Sequence, residues 1–410
     1  MKPILPPVAG GTMLVAGTAI GAGMLGLPMI SAGMWVQWST FLLIVSWFFM
    51  LRSSQALLEV NLHFKPGDSF HTLARQLLSP FWTALNGLSV AFVLYTLVYA
   101  YVSGGGSVVQ HALSPILGDN PPPRLYSSLM FALLMAACIW WSSKAVDRMS
   151  TIFMGGMIIT LVISLAGMFG NLRMDILLDK NGAGGEFVFI WCAVSTYLTS
   201  FCFHASVPSL VKYLGKDGKT INRCLVWGTS IALLCYFAWI VAADGVIPRA
   251  EYKEVIAQGG NVGNLLAAAG ANIGAAFIYR CLEIFSLLAV ATSFLGAGLG
   301  LFDYMADLCN FDDSRLGRTK TMLITLGPPM IGGLIWPDGF LPAIGWAGLA
   351  ASIWSVLVPA LMLMAGRRKL PPQEYRAPGG NLLPYMLFLY GSLVAICHIL
   401  FVFDLLPMYQ

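Results

Sequence analysis

The chain has 410 residues, 58% hydrophobic and 10% charged, with a formal net charge of +4 and a mean hydropathy of +0.76. Soluble domains carry about a quarter charged residues, so a soluble enzyme is excluded and an all-α integral membrane protein is indicated. The basic residues are spread through short loops rather than gathered in a patch, which argues against a nucleic-acid partner and leaves the lipid bilayer as the expected surroundings.

A helix needs about 20 apolar residues to span a bilayer. That criterion predicts eleven transmembrane helices, near 8–31, 35–61, 81–112, 124–142, 149–170, 187–211, 223–243, 273–301, 319–336, 341–364 and 382–403. Little basic charge precedes the first apolar segment and its centre is glycine-rich, so no cleavable signal peptide is expected. Span one carries Gly17-Thr-Ala-Ile-Gly-Ala-Gly-Met-Leu-Gly-Leu-Pro28, four glycines and a proline inside an otherwise apolar run. Unpaired backbone is tolerated in hydrocarbon only where it lines a cavity or is covered by protein. A half-unwound helix there would free amide donors and aim a helix N-terminal dipole at a bound anion, such as an amino-acid carboxylate. Thr18, Gly21, Ala22 and Gly23 are the candidate contacts.

Arg52 and Glu59 lie at the inner end of span two and read as structural. Span three places Tyr95 and Tyr99 one turn apart on one face, followed by Tyr101 and Gly104-Gly105-Gly106. This is either an aromatic wall toward the broken helices or ordinary packing with an interfacial aromatic belt. Span six contains Phe201-Cys-Phe-His-Ala-Ser-Val-Pro-Ser-Leu210, a second run of small residues reaching a proline. Its candidates are Phe203, His204, Ala205 and Ser206, with the His204 imidazole able to hold a proton or a hydrogen bond to substrate. Paired interruptions in corresponding positions point to a transporter's binding site. They divide the chain into 1–170 and 187–364, two five-helix halves of opposite topology, with 382–403 as an additional span.

Span eight offers Ser286, Thr292 and Ser293 as hydroxyls, with Ala289, Ser293, Gly296 and Gly300 on one helical face. Close helix packing is the plain reading of that face. Substrate or cation contact by Thr292 and Ser293 is the functional one. Glu283, two turns inside this span, is a candidate proton carrier, although Arg280 three residues earlier offers a local ion pair. Asp303 and Asp307 read as the inner end of the same helix. Asp244 and His398 receive no assignment. The eight cysteines fall singly, mostly in apolar segments, and read as packing residues. No phosphate-binding loop, catalytic triad or metal-ligand spacing appears, so neither a cofactor nor an enzymatic reaction is expected.

Orientation follows the basic residues. A cytoplasmic N-terminus puts 17 of the 23 Lys and Arg inside, leaving Arg124, Arg173, Lys180, Arg249, Lys253 and Arg280 outside, six in all. An odd span count then puts the C-terminus in the periplasm.

The segments GTAIGAGMLGLP (17–28), LLEVNLHF (57–64), AFVLYTLVYAYVSG (91–104), FHASVPSL (203–210), VKYLGKDGKTI (211–221), GGNV (259–262), SFLGAGLGLFDYMADL (293–308), FDDS (311–314) and the terminal LLPMYQ occur in order along the whole chain. In these residues the chain resembles the hydroxy/aromatic amino acid permease family of the amino acid–polyamine–organocation superfamily, and most closely its tryptophan-specific branch. The resemblance implies a LeuT-type fold with interrupted helices one and six. It also implies cation-coupled uptake of aromatic amino acids, tryptophan above all, across a bacterial inner membrane. It puts the substrate carboxylate and amine against Thr18, Gly21, Ala22, Gly23 and residues 203–206.

Three departures from the family pattern stand out. Cys202 and Ala205 replace the small glycines of relatives in span six, which implies a stiffer break or a narrower pocket, and the other two bear on the coupling ion. Met157 stands where relatives carry a lysine, and Leu287 where they carry Asn or Asp. Proton symport through Glu283 or His204 is one expectation. Sodium bound by Thr292, Ser293 and span-one carbonyls is the other. A tyrosine-preferring permease and a non-transporting amino-acid sensor are the remaining alternatives. The sensor lacks a soluble domain to report binding.

Overall fold

A computed structural model describes residues 7–117, 123–179 and 186–409. Lys2 and Lys180 of the charge tally, and the terminal Gln410, lie outside the described residues. Every regular element among these residues is helical. Helix α1 (Pro7–Ala19) ends where Gly21 adopts an extended backbone, a short 3-10 turn (Ala22–Gly26) follows, and α2 (Leu27–Ser31) completes the segment at a bend of 45°. Pro28 near the start of α2 supplies no amide where none is needed. Next come α3 (Trp35–Asn61), α4 (Phe70–Leu77), α5 (Pro80–Leu117), α6 (Arg124–Trp141), α7 (Ser143–Gly170) and α8 (Met174–Leu177). The second interruption separates α9 (Ile190–Ser200) from α10 (Ser206–Leu214). Helices α11 (Gly218–Val246), α12 (Glu251–Ala257), α13 (Val262–Ile273), α14 (Ala276–Leu308) and α15 (Arg315–Ile335) follow. A π-helical turn (Ile353–Leu357) joins α16 (Phe340–Ser352) to α17 (Val358–Lys369), and α18 is Leu383–Val402.

Eight helices among the described residues are long and apolar enough to cross a membrane, and the bent pair at the N-terminus makes a ninth. The expected spans at 187–211 and 319–336 are met by helices of another kind. The first is split into two short halves. The second, α15, carries Arg315, Arg318 and Lys320 in its first turns and Pro328 and Pro329 near its centre. Leu134, Ile159, Leu234 and Leu389 point outward, each more than 60% exposed, on α6, α7, α11 and α18. A surface of that kind is at home in lipid and not in water. The chain is a multi-pass membrane protein.

Helices α5 and α14 outrun their expected bounds, and four short helices in connecting segments (α4, α8, α12, α13) were not anticipated. Each is too short to register as a span. Ser69 caps α4 by accepting the Thr72 amide at 3.2 Å, and Asp217 caps α11 through the Thr220 amide at 3.0 Å. At one end of the bundle Glu59 accepts Arg367 Nε and Nη2, both at 2.7 Å, and the Ala377 amide at 2.6 Å. That ties α3 to α17 and to the segment entering α18. The assignment of Glu59 as structural agrees with this geometry.

Pro328 has no amide hydrogen, so the Ile324 carbonyl one turn earlier loses its helical donor. The Tyr95 hydroxyl donates to that carbonyl at 2.7 Å, and the Tyr99 hydroxyl donates to Trp336 O at the end of α15 at 2.9 Å. Both phenols therefore serve the α5–α15 contact. Tyr95→Phe is expected to cost about 1 kcal/mol of stability, the net worth of one half-buried hydrogen bond. Thermal unfolding in detergent checks this.

Candidate functional site

Two helix ends meet at the centre of the bundle. The last carbonyls of α1 and α9 belong to Ala19 and Ser200, and both carry the partial negative charge of a helix C-terminus. Tyr236, fully buried at mid-α11, holds them together. Its hydroxyl lies 2.5 Å from Ala19 O and 2.7 Å from Ser200 O, one proton shared between two acceptors. The Ser200 hydroxyl reaches across to Gly23 O at 3.1 Å, with Thr196 O as its other acceptor. From the third side the Ala22 amide donates to Ser293 Oγ on α14 at 2.9 Å. The two interruptions are thus stitched to each other and to α14.

Close approach accounts for Gly21, whose Cβ would lie 2.5 Å from Ser293 Oγ, whereas one on Gly23 would make only ordinary contact with Ser200 Cα at 3.4 Å. Among the described residues the amides of Gly21, His204 and Ala205 donate no hydrogen bond. These are donors of the kind that receive an anionic group at an unwound helix. The negative ends of α1 and α9 offer the opposite polarity a few residues away, suited to an ammonium.

His204 sits in the second interruption, wholly buried, with neither ring nitrogen hydrogen-bonded. Its ring lies 5.1 Å from that of Phe203 and 6.1 Å, edge-on, from that of Trp354 in the π-helical turn. The Trp354 indole nitrogen is also unpartnered, and Phe70 of α4 packs edge-on against Trp354 at 5.7 Å. A π-helical turn inside an α-helix commonly marks a functional site, and this one brings an aromatic wall with an unused donor to the interruption.

The remaining candidates are placed as follows. Gly21, Ala22, Gly23 and Ser293 are brought together. Phe203 is buried, Ala205 is exposed, and Ser206 donates its hydroxyl to Phe203 O at 2.7 Å. Thr18 is exposed and spends its hydroxyl on Leu14 O at 2.7 Å. Thr292 donates to Leu288 O at 2.9 Å within its own helix. Glu283 pairs with Arg280 at 2.7 Å, the local ion pair that the spacing allowed, while its Oε1 has no partner. Met157 is buried on α7, which lies along α14, and Leu287 is half-buried. Tyr95 and Tyr99 turn their hydroxyls to α15. Tyr101, buried beside Ser293 and Cys202, is the α5 aromatic residue that reaches the junction.

Tyr236, Ser200, Tyr101 and Trp354 were not among the site residues expected from sequence. A single tyrosine or tryptophan in an apolar span reads as packing. Only the π-helical turn and the two opposed carbonyls reveal what these side chains serve.

The profile of the tryptophan/tyrosine permease family matches residues 5–398. A tryptophan-specific transport protein of Pseudomonas aeruginosa is 47% identical over 99% of this chain and 97% of its own length. Proteins of the same description from Shigella flexneri and Haemophilus influenzae are each 43% identical, covering 99% and 96% of this chain and 98% and 96% of their own lengths. A match of this extent runs through both interruptions and every helix that stitches them. The chain belongs to the tryptophan/tyrosine permease family.

Proposed function

We propose that the protein is a secondary transporter that imports aromatic amino acids, tryptophan ahead of tyrosine, by proton symport across a bacterial inner membrane. The observation that carries this reading is the pair of interruptions joined by Tyr236, with unused amides at 21, 204 and 205 and two helix C-termini between them. A zwitterion needs both polarities at one point, and this junction offers both. The substrate carboxylate would take the amides, the ammonium would face Ala19 O and Ser200 O, and the indole would lie toward Phe203, His204, Tyr101 and Trp354. Tryptophan is favoured because the similar proteins from Pseudomonas aeruginosa, Shigella flexneri and Haemophilus influenzae are tryptophan-specific transport proteins.

In this reading eleven spans form two inverted halves of the LeuT type plus α18, with the N-terminus inside and the C-terminus outside. Helices α1–α2, α3, α9–α10 and α11 would rock to alternate access. Sodium coupling is the second reading: Thr292 donates its proton to Leu288 O and Ser293 Oγ accepts the Ala22 amide, which leaves each oxygen a lone pair for a cation.

The test is uptake of labelled tryptophan into proteoliposomes under an inward pH gradient without sodium. Accumulation at least ten-fold above the external concentration is expected. Recovery of accumulation only on adding sodium would overturn proton coupling. Absence of counter-flow under any gradient would overturn transport itself and leave a sensor.

A further inference from the structure

Three carboxyl side chains among the described residues are less than a tenth exposed: Glu59, Asp244 and Glu283. Two of them hold an arginine, Glu59 with Arg367 and Glu283 with Arg280, each at 2.7 Å. Asp244 is fully buried near the end of α11 and makes no ion pair. Its Oδ1 accepts the Tyr252 hydroxyl from α12 at 3.2 Å, and Oδ2 has no partner.

The charged neighbours make no ion pair with Asp244, although Arg249 lies close enough to act on it through space. Arg249 donates to Ala32 O at 2.9 Å and Gly33 O at 2.8 Å and pairs with Asp179 at 3.2 Å. Arg173, whose amide donates to Gly245 O, turns its guanidinium to Val246 O and Asn272. On α9, Tyr197 lies close enough to sense Asp244, and its own hydroxyl is unpartnered. From α3, Trp35 packs edge-on against the Tyr252 ring at 6.1 Å and carries no charge. A carboxyl removed from water without a counter-ion is far cheaper to hold with its proton than without it.

We propose that Asp244 binds the transported proton. The inference rests on the proton-symport reading above and names its carrier. Oδ2 gains an O–H bond from outer water, and the neutral acid lets α9 and α12 close over it. The same bond breaks when the four rocking helices open the inner side, and the proton leaves to inner water past Tyr236 and the junction. Asp244 and Tyr236 lie eight residues apart on α11, about 12 Å along its axis, and Tyr197 precedes Ser200 by one helical turn. One helix therefore carries both the proton site and the hydroxyl that joins the two interruptions.

The test compares wild type, Asp244→Asn and Tyr252→Phe in proteoliposomes. Asp244→Asn is expected to exchange internal for external tryptophan while losing pH-driven accumulation at least ten-fold. Its exchange rate should no longer depend on external pH between about 5 and 8. Tyr252→Phe removes the same hydrogen bond but keeps the carboxyl, and accumulation should stay within three-fold of wild type. If both variants fall together, Asp244 is a structural staple and the proposal is overturned. If the wild type accumulates and Asp244→Asn does too, the proposal falls while proton symport stands. If the wild type ignores the pH gradient, both readings fall.

A second measurement avoids substitution. A hydrophobic carbodiimide, which attacks protonated carboxyls, should modify Asp244 of the wild type faster at pH 6 than at pH 8, read by peptide mass spectrometry. No adduct at Asp244, or one indifferent to pH, would also overturn the assignment.

Discussion

Tyr236→Phe is expected to cut tryptophan uptake by roughly 100-fold while leaving the protein in the membrane. The single hydroxyl at this position serves two carbonyls, Ala19 O at 2.5 Å and Ser200 O at 2.7 Å. Phenylalanine fills the same space but removes the donor. Each buried acceptor left unsatisfied costs about 1–3 kcal/mol, so the pair loses about 2–6 kcal/mol. The lower half of that range already corresponds to roughly two powers of ten in an equilibrium or a rate. The two carbonyls are also helix C-termini of like partial charge. Without the shared proton they repel, and the junction relaxes apart. A substrate ammonium could then bind more tightly than in wild type, which separates this effect from general misfolding. The measurement is initial uptake and equilibrium tryptophan binding on the same preparation. Uptake within three-fold of wild type would show that the bridge is dispensable.

The legible part of this architecture was what bilayer physics forces on a sequence. Long apolar runs announced most of the spanning helices. Glycines and a proline in the first of those runs, and small residues reaching a proline in the sixth, announced both interruptions, because irregular backbone at membrane depth needs a reason. The Glu283–Arg280 pair was also visible as a spacing of three on one helix. Contacts between helices were not visible. Tyr95 and Tyr99 looked suited to an aromatic wall. Which face of α5 meets α15 depends on how five or six helices pack at once, and no periodicity encodes that. Pro328 leaves the Ile324 carbonyl without its helical donor, and nothing in the sequence names the helix whose side chain satisfies it. Asp244 received no assignment from the sequence, and only coordinates could reveal a buried carboxyl with no ion-pair partner.

Gly21→Ala is expected to lower uptake by roughly 10–100-fold. The cause is not backbone conformation, since Gly21 is extended with φ −165° and any residue can adopt that. The new Cβ would instead lie 2.5 Å from Ser293 Oγ. Ser293 cannot keep its rotamer against such a contact. Once its hydroxyl turns away, the Ala22 amide loses its acceptor at 2.9 Å. A buried amide without a partner costs about 1–3 kcal/mol, which spans the predicted range. Ser293→Ala deletes that same acceptor directly and should reduce uptake by a similar factor. The two substitutions break one hydrogen bond by different routes, so their effects must not multiply. The double variant is expected to fall no more than about three-fold below the worse single variant, because removing Oγ also removes the clash. Uptake by all three variants, corrected for the amount of protein in the membrane, completes the cycle. Fully multiplicative losses would mean that Gly21 acts through something other than Ser293, and the stitch between the first interruption and α14 would lose its role.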